Sequence, residues 1–196
     1  MYKKQVKLQK ILCLALLAVS AMIFLYSLGI MTDLYDALYS TIRSAKNLDK
    51  STVTGSRVYY DMQDFNKQFL GYSIIMILLC LTLFITNTQN RRKYYIGNYC
   101  AIGLVSAGGI AFTVWAHGQI EIYKAQFLQI NFEELAEHAA KRKTLYTDST
   151  FWFDIHYLVF GLLVIGIVLL IANAIWKRKL MKDEQILIAQ GKGAAA

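Results

Sequence analysis

The chain has 196 residues, enough for one domain of ordinary size, of which 56% are apolar and 17% charged, with no proline. That composition excludes a disordered chain, which is poor in apolar residues, and a mean hydropathy of +0.37 fits a water-soluble globule badly. The formal charge of +8, from 21 basic and 13 acidic residues, takes its meaning from where the charges lie.

The charges and the apolar residues alternate in blocks. After Lys3, Lys4, Lys7 and Lys10, residues 11–31 run without a charge. A hydrocarbon core of ~30 Å needs about 20 helical residues. The basic start and the small residues Ala18, Ser20 and Ala21 imitate a secretion leader. However, the apolar run continues ten residues past Ala21, and a leader's apolar region is only about 7–15 residues long. An uncleaved membrane helix over about 11–31 is expected.

The connection 32–68 has helical periodicity. Leu34, Leu38, Ile42 and Ala45 recur at helical spacing, with Thr32 or Asp33 placed to cap a new helix. Residues 51–56 read as a turn. Val58, Met62, Phe65 and Phe69 then form a stripe that leads into the second span, about 69–88, so one helix over about 57–88 is expected. The 89–93 turn holds Arg91, Arg92 and Lys93, and the third span covers about 95–117.

The connection 118–151 begins as an outward continuation of that third helix, through Ile120, Tyr123, Phe127 and Ile130. The phase breaks at Asn131. The residues there fit a capping box, with Asn131 as N-cap, Glu134 as its reciprocal partner, and Ile130 and Leu135 as the hydrophobic staple. A short helix over about 132–144 follows, with Phe132, Leu135, Ala136 and Ala139 on its apolar face and Lys141, Arg142 and Lys143 in its last turn. The fourth span, about 152–176, has a single acid, Asp154, in its first turn. The tail 177–196 continues that helix to about Gln190 and ends in a flexible Gly191–Ala196.

Basic residues orient the spans. The two termini and the 89–93 turn carry 12 basic residues against two acids, whereas the other two loops carry nine basic and, with Asp154 counted among them, eleven acidic residues. The positive-inside rule puts both termini in the cytoplasm. Trp115, Trp152 and Trp176 near span ends agree with an interfacial belt. The charge is a topology signal; a nucleic-acid surface would need a basic patch on a folded domain, so no nucleic-acid partner is expected. Cys13, Cys80 and Cys100 all lie within spans, which excludes a disulfide framework.

The expected fold is an all-α integral membrane protein: four transmembrane helices with a small extracytoplasmic helical cap, both termini cytoplasmic, in a plasma membrane. In the third span Gly103, Ala107 and Ala111 make a face of small residues at four-residue steps, suited to close helix contact. That contact lies either within the chain or with a partner. The cap stripes Leu34, Leu38, Val58, Met62, Phe65, Phe132 and Leu135 either pack on one another or offer a surface to a partner or to lipid.

Chemistry is sparse. The spans hold no mid-membrane acid and no broken half-helix of the transporter kind. His117 and His156 fall near the same end of the third and fourth spans, where Asp154 or Glu121 would help them hold a metal or haem. Glu134 and His138, spaced four apart, would join only if the chain folded back at Asn131. Phosphate loops, nucleophile elbows and HExxH are absent, and no cofactor or catalytic residue is assigned. The leading expectation is a non-enzymatic accessory or structural subunit of a larger membrane assembly, foremost a transport complex. Its partners would be lipid and another membrane protein or further copies of itself. The alternatives are an oligomeric channel or transporter in its own right, and a membrane redox protein with a cofactor at His117 and His156.

Overall fold

A computed structural model describes residues 2–41, 53–89, 95–143 and 146–194. The side chains of residues 32–41 lie outside the described part, and with them Leu34 and Leu38 of the first stripe. All regular structure among the described residues is helical. It comprises α1 (Tyr2–Thr41), α2 (Val58–Asn87), α3 (Ile96–Phe127), α4 (Phe132–Arg142) and α5 (Phe151–Ala194). Four of these are long and apolar enough to cross a membrane, over Lys3–Met31, Val58–Asn87, Ile96–Phe127 and Phe151–Gly191.

The distribution of polarity is the reverse of that in a water-soluble bundle. Leu14, Leu25, Ile85, Leu104, Val114, Ile165 and Ile175 point outward, each more than half exposed. Gln5, Gln9, Ser20, Ser27, Ser73 and Asn173 are buried. Lipid tails solvate outward leucines at no cost, and polar side chains in an apolar solvent must find partners inside.

The chain divides into two compact units, each built from segments of the same four long helices. In the unit of residues 1–20, 76–111 and 162–196, Gln5 Nε2 donates to Asn173 Oδ1 at 3.4 Å and Asn173 Nδ2 donates to Gln9 Oε1. Gln9 Nε2 in turn points at the Cys13 sulfur, 3.8 Å away. The spacing of four puts Gln5, Gln9 and Cys13 on one face of α1, so one side of the helix carries the whole polar ladder. Helices approach closely where glycine leaves room: a Cβ on Gly109 would lie 2.7 Å from Ile167 Cδ1 and 3.3 Å from Met76 Cε. Asn98 closes the α2–α3 hairpin by donating to the Thr86 carbonyl at 2.5 Å and accepting from the Tyr95 amide at 2.8 Å.

The second unit comprises residues 21–75 and 112–161. Its centre is Phe69, with no exposed surface. Tyr26 of α1, Phe65 one turn back on α2, Phe112 of α3 and Phe160 of α5 all place their rings 5.5–6.2 Å from it. These are the offset and edge-on separations that aromatic pairs favour. Ser27 and Ser73 bridge α1 and α2 through their hydroxyls at 3.3 Å.

Three sequence expectations need correction. No new helix starts at Thr32 or Asp33, because α1 continues unbroken to Thr41; no glycine or proline interrupts residues 30–41, and a helix already propagating extends at little cost. Of the two readings of the cap stripes, packing within the chain accounts for Val58, Met62, Phe65 and Leu135, each at most 3% exposed. Phe132, half-buried, sets its ring edge-on to Phe127 at 5.3 Å. The capping box is only half formed. Asn131 accepts from the Glu134 amide at 3.3 Å as expected, but the Glu134 carboxylate takes the Thr54 amide at 3.1 Å instead of reaching back to Asn131. The Asn131 amide donates to the Thr54 carbonyl at 3.0 Å, so Thr54 is held at both its backbone groups. Gly55, at φ +82, makes this approach possible, since a Cβ there would sit 2.7 Å from the Gln129 carbonyl oxygen. Finally, the tail does not fray at Gly191; α5 is helical to Ala194.

Candidate functional site

The second unit gathers the polar residues of α3 and α5 into one cluster. α3 supplies His117, Glu121 and Lys124 on successive turns of one face. α5 supplies Asp154, His156 and Tyr157 from its first two turns. Thr150, just ahead of α5, donates its hydroxyl to Asp154 Oδ2 at 2.7 Å, which fixes the carboxylate as the helix begins. Lys124 Nζ meets Asp154 Oδ1 at 2.5 Å, and the two charges cancel at the edge of the cluster.

His156 is the buried member, 1% exposed. Its Nδ1 lies 2.5 Å from the Phe153 carbonyl oxygen. A carbonyl only accepts, so that nitrogen carries the proton and the neutral ring offers the Nε2 lone pair. Nε2 is 2.8 Å from Nδ1 of His117, which therefore donates to it in the neutral pair. Glu121 Oε1 lies 3.7 Å from the same Nε2 and accepts the Tyr157 hydroxyl at 2.7 Å. The Tyr157 ring lies over His156 with centroids 4.0 Å apart. Each of the two ligand-type side chains nearest the centre, His156 and Glu121, is thus held by a second group behind it.

Of the sequence candidates, His117 and His156 come into direct contact, while Asp154 stands aside as the partner of Lys124. Glu134 is occupied at Thr54, and His138 takes no part in the cluster. The imidazoles stand closer together than the two ligands of a haem clamp. Two axial histidines leave their ligating nitrogens about 4 Å apart with the macrocycle between them, whereas these nitrogens share a hydrogen bond at 2.8 Å. A shared proton fits that spacing. Sequence reasoning missed Tyr157 and Lys124. Lys124 carried a signal, being a basic residue seven positions after His117 and so on the same helical face.

The small-residue face of α3 lies elsewhere. Gly103, Ala107 and Ala111 are all exposed, and a Cβ added to Gly103 would meet nothing within 4 Å. No family model, curated protein or solved structure matches the chain.

Proposed function

We propose that the chain is a non-enzymatic multi-pass protein of the plasma membrane, with both termini and the 89–93 turn on the cytoplasmic side and α4 on the opposite side. It serves as an accessory or structural subunit of a larger membrane assembly, foremost a transport complex. The observation that carries this reading is the outward placement of Gly103, Ala107 and Ala111 within an apolar span. A row of small side chains gives up contact with lipid and gains nothing unless another helix backbone comes close. Inside the chain, close approach uses other glycines, such as Gly109 against Ile167. The row on the outside is left for a second polypeptide. The basic residues at both termini and in the 89–93 turn support the orientation.

Purification in mild detergent, with identification of the chains that remain bound, tests this. The expected result is a defined membrane partner at fixed stoichiometry, lost in Gly103→Leu and Ala107→Leu while the thermal midpoint of the isolated chain holds. A monomer at every detergent strength overturns it. A homo-oligomer that carries ions or solutes across liposomes replaces it with the channel reading.

A further inference from the structure

We propose that His117, Glu121 and His156 form a binding site for one divalent first-row transition ion of the zinc class. Their donor atoms lie within 4.8 Å of one another, and among the described residues no other group of three such side chains does so. Two imidazoles and one carboxylate are the donors that borderline ions take when they keep a coordination position open. Surface acids also cluster by chance, but this group is different: it pairs one carboxylate with two imidazoles, one of them 1% exposed.

The supporting contacts carry the argument further. A histidine that binds a metal through one nitrogen commonly gives its other N–H to a carbonyl or carboxylate, which fixes the ring and its tautomer. His156 has that arrangement already, with Nδ1 on the Phe153 carbonyl and the Nε2 lone pair aimed at His117 and Glu121. Glu121 is steadied by the Tyr157 hydroxyl. Lys124, whose charge would oppose a cation, is neutralised by Asp154.

Loading needs one adjustment. Tetrahedral donors about 2.05 Å from an ion stand roughly 3.3 Å apart, against 2.8 Å between the two imidazole nitrogens. His117 is exposed and can rotate to open that gap. Its proton moves from Nδ1 to the outward Nε2 through solvent, so a neutral pair takes up the ion with no net release of protons.

The test uses the full chain without a histidine tag, in micelles, stripped with a chelator and titrated with Co2+ and then Zn2+. One Co2+ per chain is expected, with visible ligand-field absorption of low-coordinate geometry that equimolar Zn2+ abolishes. His117→Ala alters an exposed side chain and keeps the fold. It and Glu121→Gln are each expected to lower affinity by at least the ~10–100-fold that loss of an outer hydrogen bond costs. Tyr157→Phe should fall within that range, and His138→Ala should leave binding unchanged. Failure of the folded chain to bind Co2+, or binding that His117→Ala and Glu121→Gln leave intact, overturns the proposal.

Discussion

Phe69 shows how much one side chain does here. It has no exposed surface and touches a ring from each of the other three long helices. Truncation to alanine in water-soluble cores costs roughly 3–5 kcal/mol. In lipid the unfolded reference state is also apolar, so the transfer part weakens and mainly the lost packing remains. Phe69→Ala is therefore expected to lower stability by about 2 kcal/mol, read from an unfolding titration in mixed micelles. A change below a few tenths would show that the four rings do not act as one cluster. At this scale the sequence was partly legible. The stripe Val58, Met62, Phe65, Phe69 marked the residues that turn inward. It gave no hint that Tyr26, Phe112 and Phe160 would converge on the last of them, because convergence depends on how each helix is rotated. The same holds for the site. Opposite directions of travel in the third and fourth spans put His117 and His156 at one level, but Tyr157 reaches Glu121 only by virtue of α5's rotation.

Among the elements, α4 is the shortest and the most dependent on its ends. Eleven residues are too few for a stable isolated helix. It stands on the Asn131 cap, on the left-handed Lys143 at its other end, and on the clasp around Thr54. Asn131→Ala is expected to cost about 1 kcal/mol. Hydrogen exchange should show it as lost protection confined to the amides of α4, with those of α2 unchanged. The cap was readable from local residue types. The clasp was not, since Thr54 and Glu134 are 80 residues apart and meet through a backbone amide, which leaves no trace in residue type. The continuity of α1 was misjudged for the opposite reason: Thr32 and Asp33 are good capping residues, and nothing there obliges the helix to end.

For the molecule as a whole, the block pattern of charge and apolarity was enough to mark four long helices, and all four are present. The buried polar ladder of Gln5, Gln9 and Asn173 was not foreseen, although the four-residue spacing of the first two was visible. Orientation is a separate matter, and it yields its own expectation. In a background without native cysteines, a cysteine at Asp148 should react with a membrane-impermeant maleimide on intact cells. One at Gln190 should react only after the membrane is opened. The reverse pattern would invert the chain and leave the positive-inside argument without force here.

α5 spans 44 residues, a rod of about 66 Å at the helical rise, roughly twice the thickness of a bilayer's oily layer. Among the described side chains Lys177 is its last buried one, and those of 178–191 are exposed or half-exposed. From Lys177 to Ala194 the helix runs on for about 26 Å as a stiff boom. A fluorophore attached at its tip would ride at a set height above the headgroups and serve as a ruler for how deeply the protein sits.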